Sequence, residues 1–139
     1  MAVIDTSFLI ALNDINDRFH EEAAGAPLFQ EAAFLPAEIW MEYCLVLTVR
    51  PRHQASVLEN TLRGPFVVRP VLEPSELASL AASVPAFGHK MKRLGFKPLT
   101  LFDLVVCTVA QRLRESIRTF DEGMKAAVRA RMFPGARLG

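Results

Sequence analysis

Short apolar runs that end abruptly and give way to longer runs of helical spacing recur along the whole chain, and nothing else restricts its fold as much. "AVI" (2–4) precedes "FLIALN", "AFLP" (33–36) precedes "AEIWMEYCLVLTV", and "PFVVRPV" (65–71) precedes "EPSELASLAASVPAFGHKMKRLG". "SIRTF" (116–120) precedes "DEGMKAAVRARMF", while "DRFHEEAAG" (17–25), "HQASVLENTLRG" (53–64) and "TLFDLVVCTVAQRLR" (100–114) read as further helices. Strands that are apolar throughout, rather than alternating, are buried on both faces. Such strands alternating with helices imply an α/β chain whose mainly parallel sheet is covered on both sides.

Punctuation residues set the expected ends. Gly25, Arg50-Pro51 and Gly64 should stop helices, and Pro74-Ser75 should start one. Pro85 and Gly88 should divide the 73–95 stretch into two helices. The C-terminal "KAAVRARMFPGARLG" carries four bases and no acid and is expected to be partly mobile. The 139 residues suffice for one domain, residues 1–139, with a substantial core. No apolar run approaches the roughly 18 residues of a membrane span. The first residues hold Asp5 where a secretory signal has basic residues, so a cytoplasmic chain is expected. Cys44 and Cys107 lie in apolar helical stretches without metal-ligand spacing, and read as reduced core residues.

Against this frame, Asp5 in "AVIDTSFLI" stands out, because apolar runs seek burial and a carboxylate resists it. A helix cap is the ordinary explanation. However, ligands of open α/β sheets bind beyond the carboxyl ends of the strands, and three further acids fall there. Asp121 ends the "SIRTF" strand, Asp103 occupies the first turn of an apolar helix, and Glu42 lies one turn into the helix after "AFLP". Thr100 and Asp103 also have capping-box spacing, and Asp121 can cap the last helix. Glu42 is harder to assign to structure. Met41, Tyr43, Cys44 and Leu45 around it suggest a helix buried all round, where a glutamate needs a partner. Glu38, at the helix start, reads as a solvated acid. Carboxylates gathered at one edge resist ionising together. A divalent cation with a preference for oxygen, Mg²⁺ or Mn²⁺, relieves that repulsion and can bind phosphate as well. Hydrolysis of a phosphodiester by metal-activated water follows as the expected chemistry.

The charges are divided unevenly. Residues 1–43 contain eight acids and one base, and residues 44–139 contain seven acids and fifteen bases. A basic half attracts polyanions, although a solvated basic surface is equally ordinary. Within it, "HKMKRLGFK" places Lys90, Lys92, Arg93 and Lys97 just before Asp103, as candidates to bind RNA phosphates. His20 reads as a helix-surface residue, and Trp40 as core or dimer packing.

The pieces "VIDTSFLIAL", "DINDRFHEEAA", "FLPAEIWMEYCLVL", "LTLFDLVVCTVAQRL" and "TFDEGM" resemble, in order and spacing, a PIN domain, most closely the VapC-type toxin ribonucleases of bacterial toxin–antitoxin pairs. The resemblance implies a three-layer α/β/α sandwich with a central mainly parallel sheet, and an acidic Mg²⁺/Mn²⁺ site that cleaves RNA. It also implies a small antitoxin partner and a homodimer. Asp5, Glu42, Asp103 and Asp121 match the four acids of the family, and Thr6 and Thr119 match hydroxyl positions that support them. Arg118 and Phe120 stand where the family has a more apolar strand and a small residue. Apolar area on "FLIAL" and "FHEEAAGAPLF" is expected to be exposed for an antitoxin segment. Two rival readings are a PIN-like module that binds RNA or protein without cutting, and a phosphotransferase with Asp5 as nucleophile. The latter would want a second aspartate where this chain has Ser7.

Overall fold

The computed structural model describes residues 1–26, 32–49 and 55–139. Five strands form one sheet: β1 (Val3–Ile4), β2 (Ala33–Pro36), β3 (Phe66–Arg69), β4 (Ser116–Arg118) and β5 (Arg137–Leu138). Its order is β3-β2-β1-β4-β5 and every pairing is parallel. The helices are α1 (Thr6–Asn13), α2 (His20–Ala24), α3 (Ala37–Thr48), α4 (Ala55–Leu62), α5 (Pro74–Arg93), α6 (Leu101–Leu113) and α7 (Glu122–Arg129). They flank the sheet as the α/β/α reading requires.

Both residues of β1 and all four of β2 are buried, as expected of strands covered on two faces. Helix α6 lies against β1, β2 and β4. It buries Leu104, Val105, Val106, Cys107, Val109 and Ala110. At about 1.5–3 kcal/mol for each large aliphatic side chain, this helix anchors the middle of the core. The order of the strands matters for function. The chain leaves β1 towards β2 on one side and leaves β4 towards β5 on the other. The two adjacent strands β1 and β4 therefore flank a topological switch point, where a crevice opens at their carboxyl ends.

Several expectations are overturned. Pro85 and Gly88 do not divide residues 73–95, because α5 runs unbroken from Pro74 to Arg93 with Pro85 inside it. Pro85 and Ala81 are both exposed, so the carbonyl that Pro85 cannot serve faces solvent, and water can replace the lost hydrogen bond. The C-terminal stretch also holds more structure than expected, since Arg137 and Leu138 pair with Ser116 and Ile117 as the edge strand β5. Helix α3 is not buried all round: Met41 is 59% exposed, Leu45 57% and the following Val49 77%. Conversely, Phe8, Leu9 and Ala11 of α1 are buried, so "FLIAL" presents little free apolar area. The expected stop at Arg50-Pro51, and Pro27–Phe29 of "FHEEAAGAPLF", lie outside the described residues. Among the described residues, no helix is long and apolar enough to cross a membrane.

Candidate active site

Asp5, Asp103 and Asp121 sit where a strand ends or a helix begins, and Glu42 lies further along α3. Asp5 follows β1 and is only 4% exposed. Its backbone oxygen accepts from the Phe8 and Leu9 N–H groups, but its side chain makes no cap hydrogen bond. The carboxylate points elsewhere. Ser7 Oγ and Thr119 Oγ1 each donate to Asp5 Oδ2 at 2.7 Å. Those two hydroxyls are themselves acceptors, Ser7 from the Phe120 N–H at 2.9 Å and Thr119 from the Asp121 N–H at 3.0 Å. With lone pairs engaged by backbone donors, both hydroxyl protons are directed onto the carboxylate. The parallel pairing of β1 with β4 makes this possible by setting Ile4 beside Arg118, one residue before each half of the network.

Asp103 and Asp121 each combine a structural and an electrostatic position. Asp103 completes a capping box with Thr100. Its Oδ2 accepts from the Thr100 N–H at 2.8 Å, while its own N–H donates to Thr100 Oγ1 at 3.2 Å. Asp121 caps α7 through a 2.7 Å hydrogen bond from the Met124 N–H to Oδ1. The capping explanations are thus correct for both, yet incomplete. Burial, together with the charges of Asp5 and Asp121, pushes the Asp103 carboxyl up to about 7. Burial chiefly, and Asp121 in addition, raises Asp5 against the opposing effect of its hydroxyl donors. Glu42 is half-buried and is raised by burial and by Asp5, with the Thr6 hydroxyl working the other way. The charges of neighbouring acids thus act on Asp5, Asp103 and Glu42, and Asp5 is coupled to each of the other three acids. Among the described residues, no three acidic, histidine or cysteine side chains converge tightly enough to chelate one ion directly.

Thr6 and Thr119 take different parts. Thr119 is in the network above, whereas Thr6 Oγ1 is buried facing Glu42 without a well-formed hydrogen bond. Glu38 is half-buried with Oε2 similarly orphaned, not a solvated acid. It lies one turn before Glu42 on the same helix face. Cys107, one turn after Asp103, is buried, and its thiol is pushed well above the usual range by burial and the nearby acids, which makes it inert. Cys44 is half-buried and, like Cys107, free.

A cleft of about 180 Å³ adjoins these acids, lined by Phe96, Lys97, Pro98, Leu99, Asp103, Asp121 and Gly123. It places Lys97 with two of the acids. Lys90, Lys92 and Arg93 occupy the last turn of α5, where cations suit the helix dipole, and do not line the cleft. His20 is not a surface residue: half-buried, its Nδ1 lies 2.8 Å from the Ala11 carbonyl and ties α2 to α1. Trp40 packs against the core and tilts towards Tyr43, as expected. Phe120 fills the space beside α1 and α2, stacking on Phe19 at 4.5 Å and on Phe8 at 5.6 Å. Ser7, which donates to Asp5, is the member of the Asp5 network that the sequence does not single out. The signal was its place in "DTS", two residues after the buried acid.

A family model of the PIN domain matches residues 2–130, and the chain belongs to that family. Among solved structures it is similar to Mycobacterium tuberculosis VapC20, a toxin described as cleaving the sarcin–ricin loop. The two are 21% identical with a TM-score of 0.69, over 91% of this chain and 95% of that one. At this identity the likeness speaks for the fold. No curated protein matches the chain.

Proposed function

We propose that this chain is a metal-dependent endoribonuclease, the toxin of a toxin–antitoxin pair, with its site at the ends of β1 and β4. The observation that carries this is the mutual electrostatic coupling of Asp5, Asp103 and Asp121 at a switch point, in a chain of the PIN family. All the donors are hard oxygens, which suits Mg²⁺ or Mn²⁺. Mg²⁺ keeps several waters, so acids spaced too widely to chelate one ion directly can hold it partly through its water shell. The orphaned Thr6 and Glu38 oxygens beside Glu42 fit the same picture, as buried acceptors that ordered water can serve. Asp5, Asp103, Asp121 and Glu42 would hold the ion. Once bound, it supplies a water of lowered pKa and neutralises phosphoryl charge.

The remaining steps belong to the chain. Ser7 and Thr119 hold Asp5 in one orientation. Lys97 brings positive charge to the cleft, so that a phosphate can approach the acids. With water as nucleophile and the 3′ oxygen as leaving group, the products carry a 5′-phosphate and a 3′-hydroxyl. The likeness to VapC20 supports a toxin role and an antitoxin partner in the cytoplasm. The exposed Met41, Leu45 and Val49 stripe of α3 supports a homodimer.

The test is incubation of a pool of structured RNAs with the chain and Mg²⁺, Mn²⁺ or chelator, with the product ends mapped. Cleavage that requires a cation and is lost in Asp5→Asn is expected. Equal cleavage in chelator, or full activity in Asp5→Asn, would refute the mechanism.

A further inference from the structure

The cleft beside the acids is not walled by charge alone. Phe96 is a large apolar side chain, 38% exposed, that lines it together with Asp103 and Asp121. Single exposed apolar residues need no explanation, but this one is held in place with unusual care. Helix α5 ends in a paired hydrogen-bond motif: Phe96 N–H donates to the Met91 carbonyl at 3.0 Å and Gly95 N–H to the Lys92 carbonyl at 3.0 Å. Gly95 takes φ +81°, a conformation that side-chain-bearing residues rarely adopt. The next residues restrict the chain further, since Pro98 has a fixed φ and Leu99 is buried. On the inner side Gly123 lines the same cleft, where a Cβ would crowd Asp121 Oδ1 at 3.1 Å but meet Phe96 Cβ only in ordinary contact, at 4.0 Å. The backbone that carries the ring is thus held in place, and Phe96 and Lys97 line one cleft with Asp103 and Asp121.

Resting on the endoribonuclease reading above, we propose that Phe96 is a stacking platform for a nucleobase adjoining the phosphate to be cleaved. The chemistry is specific to that arrangement. Aromatic faces accept any base, and single-strand binders pair such faces with nearby cations that meet the backbone. Phe96 supplies the face and Lys97 the cation, within one residue of each other. At about 180 Å³ the cleft is smaller than the roughly 300 Å³ at which small-molecule pockets begin. It suits one edge of a passing strand. Phe96 would thereby fix which phosphate meets the acids, without selecting among bases by hydrogen bonds.

The experiment compares binding of two probes in the Asp5→Asn background with Mg²⁺: an oligouridylate, and a ribose-phosphate oligomer of the same length without bases. Asp5→Asn alone should prefer the base-bearing oligomer. Adding Phe96→Ala should weaken oligouridylate binding on the order of tenfold while leaving the abasic oligomer and its salt dependence unchanged. Phe96→Leu, which keeps apolar packing but lacks an aromatic face, should behave like Ala, and Phe96→Trp should restore the preference. Retention of the base preference in both Phe96→Ala and Phe96→Leu overturns the proposal, as does failure of Asp5→Asn to bind either oligomer. RNA cleavage by the unmodified chain is measured in parallel. A base preference that depends on Phe96 without any such cleavage would uphold the stacking role and remove the endoribonuclease reading.

Discussion

Asp103→Asn should make the metal-free protein more stable at alkaline pH, although it alters a helix cap. The Asp103 carboxyl stands at about 7 in the folded chain, against an ordinary value of 3.8. A raised acid binds its proton more tightly folded than unfolded, so stability falls as pH rises between those two values and levels off above the higher. At about 1.36 kcal/mol per unit, the full penalty above neutrality given by that shift is on the order of 4 kcal/mol or a little over. Asp103 keeps part of its surface in water, which screens it to about half of that. Asparagine keeps an acceptor for the Thr100 N–H and loses about 0.3–1 kcal/mol of dipole interaction. The net gain at about pH 8 is then on the order of 1 kcal/mol, or a few degrees in Tm for a chain of this size. Near pH 5 the gain should shrink to almost nothing, because the folded parent already holds its proton there. Thermal unfolding in chelator at both pH values measures this. With excess Mg²⁺ the order should reverse, since the parent binds the cation better. Equal stability of Asp103→Asn and parent at the higher pH, or a gain that persists at the lower, would refute the electrostatic account.

Three further outcomes follow from the same geometry. Ser7→Ala removes one of two donors to Asp5 Oδ2 and strands the Phe120 N–H; it should cost about 1–3 kcal/mol of stability by denaturant titration and reduce RNA cleavage, and an unchanged variant would show that the network is dispensable. Lys97→Ala should flatten the dependence of RNA binding on log salt by about 0.7, one single-strand phosphate contact, whereas Lys90→Ala with Arg93→Ala should change it less because neither residue lines the cleft; titration at several salt concentrations in an Asp5→Asn background decides, and the reverse ranking would move the phosphate track onto α5. Gly95→Ala should destabilise the chain by about 1 kcal/mol through its positive φ, with a lowered Tm as the readout, and no loss would mean that the end of α5 rearranges freely.

Much of this was legible because its causes are local. The strands of 33–36 and 66–69 and the helices after them follow from runs of apolar residues bounded by proline and glycine. Asp5, Asp103 and Asp121 were readable because strand ends and helix starts are marked in the sequence. What escaped depends on pairing between distant segments. The order β3-β2-β1-β4-β5, and so the switch point, is set by which edges meet, a matter on which "AVI" and "SIRTF" are silent individually. The edge strand at Arg137–Leu138 is only two residues long and has no apolar run to announce it. Pro85 was taken for a break because local rules assume a buried helix, whereas on the solvent face the lost hydrogen bond is replaceable. The free face of α3 was missed for a related reason: composition shows that Met41 and Leu45 are apolar, not that something covers them.

The double use of Asp103 and Asp121 bears on how such sites arise at all. Each carboxylate satisfies backbone N–H groups at a helix start and gains from the dipole there, at about 0.3–1 kcal/mol per helix. These local gains explain why an acid is tolerated at either position singly. They do not offset burial and the neighbouring acids together, since the Asp103 carboxyl still rises to about 7 despite its hydrogen bonds with Thr100. Asp5 remains raised in the same way with two hydroxyls donating to it. Were capping the whole reason for these residues, the caps would leave the carboxyls at or below their ordinary values, as the Arg112 pairing does for exposed Glu76 between α5 and α6. Burial is the larger part of the deficit and the neighbouring acids add to it, and a divalent cation bound there would offset both. The metal-dependent shift in the order of stability between Asp103→Asn and its parent is therefore the measurement that separates a set of helix caps from a catalytic centre.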